Sequence, residues 1–116
     1  MILYGIKNCN TVKKAISWLN DHHISFEFHD YKKSGISQSK LQEWKSQLNF
    51  DFLINKKGTT WRNLDETKKE QLLNEKSASE VVIENPSMIK RPIIEQEGKI
   101  ITIGFDEKEF SEKYKS

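Results

Sequence analysis

The chain has 116 residues, 35% of them hydrophobic and 31% charged, with a formal net charge of +2. That length suits one domain with a thin but sufficient core, and three Trp, six Phe and three Tyr exclude a disordered chain. A balance of +2 implies no polyanion partner, and no apolar run approaches the roughly 18 residues that span a bilayer.

Ile2-Leu3-Tyr4, ended by Gly5, reads as a buried first strand. A loop from Ile6 to Asn10 holds Cys9. Val12, Ala15, Ile16 and Leu19 then recur at helical spacing, with Asn8, Asn10 or Thr11 as candidate caps. Asn20-Asp21-His22-His23 breaks that helix. Ser25 to Tyr31 alternates as a second strand, completing a βαβ unit.

The middle of the chain is helical. Ser37 opens a helix with Leu41, Trp44 and Leu48 on one face, Asp65–Leu73 forms another, and Ser77-Ala-Ser-Glu80 has the capping-box pattern of a third. The loop Asn55-Lys-Lys-Gly-Thr-Thr-Trp-Arg62 lies between the first two. Pro86 ends this region. Arg91-Pro92 leads into Ile93-Ile94-Glu95, a turn at Gln96-Glu97-Gly98 and the strand Ile100 to Ile103, a β-hairpin. Asp106 caps a closing helix that carries Phe110 and Tyr114.

The order is βαβ, helices, then ββα. It fits an α/β, thioredoxin-like fold in which one domain, residues 1–116, carries a helical insertion over about 34–88. A short ferredoxin-like domain would read similarly.

Cys9 is the lone cysteine, so neither an internal disulfide framework nor a structural zinc site is expected. The start Met-Ile-Leu-Tyr-Gly lacks a basic and then apolar leader. The expected compartment is therefore the cytoplasm, where a thiol stays reduced.

A free thiol of pKa about 8.5 is only ~10% ionised near pH 7.5. Cys9 precedes a helix, whose unpaired N–H groups favour a thiolate, and Lys7, Lys13 and Lys14 add charge of the right sign. Lowering the pKa by about two units raises the thiolate fraction roughly tenfold, but nucleophilicity falls by nearly as much for a Brønsted slope of ~0.4–0.5. The gain therefore lies in leaving-group quality, which points to thiol exchange. Val12 stands where the second cysteine of a C-x-x-C pair would be, so the cycle needs an outside thiol.

Only two of the nineteen cationic residues are arginines, Arg62 and Arg91. A guanidinium binds carboxylates and oxyanions bidentately, which lysine does not. Pro92 reads as a strand's first residue or as a cis turn. A cis bond beside Cys9 would turn the backbone of Arg91 toward a bound peptide. His22, His23 and His29 show no metal-ligand spacing and read as solvated surface. Trp18, Trp44 and Trp61 read as packing residues, with Trp61 also able to wall the site next to Arg62.

Tyr-Gly-Ile-Lys-Asn-Cys9-Asn-Thr-Val-Lys-Lys-Ala, Phe-His-Asp-Tyr31, Gly-Thr-Thr-Trp-Arg62-Asn-Leu-Asp and Ile-Lys-Arg91-Pro-Ile-Ile together resemble the ArsC/Spx family, most of all its YffB-like subgroup. The resemblance covers essentially the whole chain. It implies a thioredoxin-like fold with a helical insertion, a nucleophilic cysteine at Cys9 and a cis proline at Pro92. It also implies glutathione-dependent thiol reduction. Glutathione would be a co-substrate rather than a bound cofactor, and glutathione or a glutaredoxin would resolve Cys9. A thiol or disulfide client, no nucleic-acid or membrane partner and a monomer complete the expectation.

The site residues expected on this basis are Cys9 as nucleophile and Arg91, Pro92, Arg62, Asn8 and Lys7 around the substrate. Of the three arginines that glutaredoxin-coupled arsenate reductases place around the cysteine, Arg91 matches one. Asn55 and Phe105 stand in the other two positions, which disfavours arsenate as substrate. Spx-type transcriptional regulators that bind RNA polymerase share the Arg-Pro-Ile-Ile hairpin but carry the C-x-x-C pair that Val12 removes here.

Overall fold

Four short strands form one sheet in the order β2-β1-β3-β4, with β1 at Ile2–Gly5, β2 at Glu27–Asp30, β3 at Ile93–Gln96 and β4 at Lys99–Ile103. This computed structural model describes residues 1–55, 65–71 and 75–114. β1 and β2 run parallel, joined through helix α1 (Asn10–Asp21), while β3 runs antiparallel to both β1 and β4. The chain divides into two compact units, one made of Met1–Ser34 and Arg91–Ser116, the other of Gly35–Lys90.

In the first unit, Leu3 and Ile94 are paired residues of neighbouring strands and point to the same face. Val12, Ala15, Trp18 and Leu19 of α1, together with Phe110 and Tyr114, pack on that face as one buried cluster. Phe110 belongs to the closing helix, here α7 (Glu107–Lys113), whose N-cap Asp106 accepts a hydrogen bond from the Glu109 N–H as expected. Ile16, expected in the core, is partly buried and packs against the edge of this cluster.

α1 stops in a Schellman motif. The His23 N–H bonds the Asn20 carbonyl and the Ile24 N–H bonds the Leu19 carbonyl, with His23 at φ 57° in the place usually taken by glycine. Gly5 lets β1 approach the start of α1, because a Cβ there would lie 2.8 Å from a Val12 methyl. Between β3 and β4 the two-residue turn Glu97-Gly98 has φ 53° and 81°, the conformation that matches hairpin twist.

The expected second strand is shorter than its alternation suggested. Pairing ends at Asp30, whose carboxylate accepts from the Lys32 N–H, and Tyr31 starts the short helix α2 (Tyr31–Ser34).

In the second unit, α3 (Gln38–Lys45) is capped by Ser37 and buries Leu41 and Trp44. It ends before Leu48. α4 (Phe50–Leu53) has no counterpart in the sequence reading, since one turn is too short to show a period. α5 (Glu66–Gln71) and α6 (Glu75–Glu84) follow. Ser77 lies inside α6, so its capping-box pattern does not mark a helix start. A 3-10 turn at Pro86–Met88 closes the helical run, and an isolated bridge pairs Ile54 with Ile89.

Candidate functional site

Cys9 is itself the N-cap of α1. It has extended φ and ψ and makes no side-chain cap hydrogen bond, so none of Asn8, Asn10 and Thr11 occupies the cap position. An oxygen-bearing cap would have consumed the first N–H groups of the helix. Here the N–H groups of Val12 and Thr11 act on the sulfur instead. The half-buried thiol is pushed up by desolvation. The polar N–H groups of Val12 and Thr11 and the Arg91 guanidinium with its positive charge outweigh this and lower its pKa below the ordinary 9.0.

The cationic contribution therefore comes from Arg91 rather than from the nearby lysines. Lys7 and Asn8 are exposed in the turn before Cys9 and are not among the groups that act on the thiol. Lys13 and Lys14 line an open groove along α1 with Trp18 and Phe105, a groove that does not include Cys9. Arg91 reaches Cys9 because it lies two residues before β3, which pairs with the strand that leads to the Cys9 loop. The Arg91-Pro92 peptide bond is cis. Arg62 and Trp61 lie outside the described residues.

Phe105, where a further arginine would stand in an oxyanion site, instead meets Phe110 edge-on at 4.8 Å. Asn55 belongs to the second unit, where its N–H bonds the Met88 carbonyl.

The other face of the sheet holds residues that the sequence reading passed over. Tyr4 donates a buried hydrogen bond of 2.7 Å to the carboxylate of Glu95, which is 2% exposed. Tyr4 pairs with Ile93 and Ile2 with Glu95, so the bond runs diagonally between same-face neighbours of β1 and β3. His29 packs on Tyr4 at 4.7 Å between ring centroids, and Tyr31 lies 6.2 Å from Tyr4 and 6.1 Å from His29. His29 is thus a half-buried member of an aromatic layer, not a solvated surface residue. His22 is exposed and stacks on Trp18 at 3.8 Å.

Tyr31 is buried, and its hydroxyl has no hydrogen-bond partner among the described residues. Burial and the neighbouring Tyr4 and Glu95 raise its pKa well above 10, while Arg91 pulls it down. One guanidinium therefore acts on both Cys9 and Tyr31. Among the described residues no three His, Cys, Asp or Glu side chains gather as a metal site, and no helix is long and apolar enough to cross a membrane.

A strand, a loop with a cap-position cysteine, a helix and a cis proline beside an arginine define a thioredoxin-like protein with one thiol. More narrowly, the chain belongs to the ArsC family, whose model matches residues 4–113. It is 52% identical over 108 residues to an uncharacterized protein of Haemophilus influenzae, covering 93% of each chain. A solved protein called YFFB matches with a TM-score of 0.88 and 41% identity over 97% of this chain and 96% of the other. An arsenate reductase (ArsC) related protein from Brucella melitensis matches with a TM-score of 0.76 and 40% identity, over 99% and 94%. The global transcriptional regulator Spx of Streptococcus mutans is 30% identical over 92% of this chain and 77% of its own length.

Proposed function

We infer that the protein is a thiol-disulfide oxidoreductase that uses Cys9 as its single nucleophile and glutathione as its reductant. The observation that carries this reading is the Cys9 sulfur at an uncapped helix start, with the Val12 and Thr11 N–H groups and Arg91 all stabilising the thiolate. Membership of the ArsC family and the likeness to an arsenate reductase related protein support it.

In the proposed cycle the Cys9 thiolate attacks the glutathionyl sulfur of a client–glutathione disulfide. The client leaves as thiolate and a Cys9–glutathione disulfide forms. A second glutathione thiolate attacks the glutathionyl sulfur of that adduct, releasing the Cys9 thiolate and glutathione disulfide. The two electrons come from glutathione, and the stabilised Cys9 thiolate is the leaving group of the second step. Arg91 would also bind a glutathione carboxylate, and Pro92 would set the backbone beside it. Lys7 and Asn8 flank the opening, and Arg62 is a further candidate. Phe105 and Asn55 leave an arsenate adduct without two cationic contacts, each worth about 1.5–3 kcal/mol. A reducing, cytoplasmic setting and a monomeric state belong to the same proposal.

The test is mass spectrometry after incubation with glutathione disulfide. One glutathionyl group on Cys9 is expected. An unmodified Cys9, together with an iodoacetamide titration midpoint at or above about 8.5, would sink the enzyme reading. The relation to Spx gives the second reading, a regulator that binds RNA polymerase. A polymerase pull-down that survives Cys9→Ala would favour it.

A further inference from the structure

A groove with cations at one end and an anion at the other gives its occupant a direction. The groove along α1 is of that kind. Lys13 and Lys14 line it near the start of the helix and Asp21 at the end, with Glu107 adding an acidic group from α7. Among the described residues these four charged side chains make no ion pair, so their charges are available to a partner. Trp18 and Phe105 supply the apolar part.

Both rings are fixed from behind. Trp18 is stacked by His22 at 3.8 Å and meets Phe110 edge-on at 5.5 Å, and Phe105 meets the same Phe110 ring at 4.8 Å. Gly104, at φ 83°, donates its N–H to the Pro92 carbonyl at 2.8 Å and so holds the backbone that enters Phe105. A segment docking here would not have to order the groove first.

The thiol lies just beyond the lysine end. The Lys13 N–H bonds the Cys9 carbonyl at 3.0 Å, so Lys13 stands one turn along α1 with its side chain leaning back toward Cys9. Cys9 and Phe105 pack against the same buried cluster. The twelve residues of α1 carry the chain about 18 Å from Cys9 to Asp21. An extended peptide needs about five or six residues to cover that distance, more than the tripeptide glutathione supplies.

We propose that this groove docks an extended protein segment carrying the disulfide that Cys9 attacks, with an acidic side chain near the reacting cysteine, an apolar one next and a basic one beyond. It rests on Cys9 as the attacking thiol, but not on glutathione as the reductant.

The experiment uses two peptides of the same composition, each with its cysteine held as a pyridyl disulfide. One has glutamate near the cysteine, then leucine, then lysine at the far end. The other exchanges the glutamate and the lysine, and both are made in either chain direction. Attack of the Cys9 thiolate on the peptide sulfur forms the Cys9–peptide disulfide and expels pyridinethiolate, whose absorbance gives the rate. Each rate is divided by that of the same peptide with β-mercaptoethanol, which removes the peptide's own charge effect. In at least one chain direction the first peptide should react about three- to tenfold faster than the second, the range given by two exposed ion pairs. High salt should shrink that ratio. In Lys13→Glu/Lys14→Glu the ratio should invert, and a ratio taken within one protein cancels any change in the thiol itself. Equal rates in both directions, or a ratio unmoved by the charge reversal, would overturn the proposal. So would a wild type that sediments as a dimer and a variant that does not, since the groove would then hold a second copy. An equal loss of rate with glutathione disulfide and with the first peptide in the variant would give the groove to the small co-substrate instead. Reaction of dipyridyl disulfide with Cys9 separates the two readings: if it proceeds while the peptides are not distinguished, only the groove fails, and if Cys9 reacts with none of them, the oxidoreductase reading fails as well.

Discussion

Two helices of the first unit begin in different ways. At α7, Asp106 accepts the Glu109 N–H, so a helix terminus is satisfied by its own sequence. At α1 the same position holds Cys9, whose side chain makes no cap bond, and the Thr11 and Val12 N–H groups act on a sulfur that becomes charged. The backbone geometry is nearly shared, since both caps are extended. The difference is one side chain. An oxygen at the cap gives stability, whereas a sulfur gives up some of that stability and leaves the N–H groups to hold a thiolate.

The sharpest way to break this contrast is Cys9→Ser. Thiol exchange should disappear altogether, measured by glutathione-linked turnover, while the melting temperature holds or rises because serine is a better cap. A variant that loses both activity and stability would mean that the sulfur is a packing element.

The next largest effect belongs to Arg91→Gln. Removing the arginine's contribution should raise the Cys9 pKa toward 9.0 and move the iodoacetamide midpoint upward. The linked stability has a definite sign. With its pKa depressed in the fold, Cys9 adds nothing below the folded value. Its contribution grows as pH rises through the window up to 9.0 and is complete above it. Arg91→Gln should narrow that window, so denaturant midpoints of the two proteins should diverge as the pH approaches 9.

The smallest effect sharpens the other side of the comparison. Asp106→Ala should lower stability by about 1 kcal/mol in urea unfolding and leave the Cys9 midpoint where it was.

What could be read from the sequence was local. The period of Val12, Ala15 and Leu19, the Asp106 and Ser37 caps, the turn at Glu97-Gly98 and the position of Cys9 all depend on neighbours within a few residues. The alternation continues into Tyr31 and predicts a longer strand, but the Asp30 carboxylate, accepting from the Lys32 N–H, marks its end. The lysines beside Cys9 stand out because they are close in sequence, but in the structure the guanidinium of Arg91, two residues before β3, acts on the sulfur. Tyr4 and Glu95 were missed for the same reason, as 91 positions separate them. One signal did exist: an acidic residue ending the apolar run Ile93-Ile94-Glu95 in a strand buried on both faces calls for a partner.

The division of the first unit between the two ends of the chain sets when the site can form. Cys9 leaves the ribosome early, but the strand that brings Arg91 beside it is made only after the whole of Gly35–Lys90. Until β3 pairs with β1, the nascent chain carries an ordinary thiol, without its cation and with its helix still seeking a sheet to pack on. The guanidinium is thus added to the Cys9 thiol only after the Gly35–Lys90 unit has been made. A chain terminated before Arg91 would expose a cysteine without the guanidinium that helps to hold its thiolate.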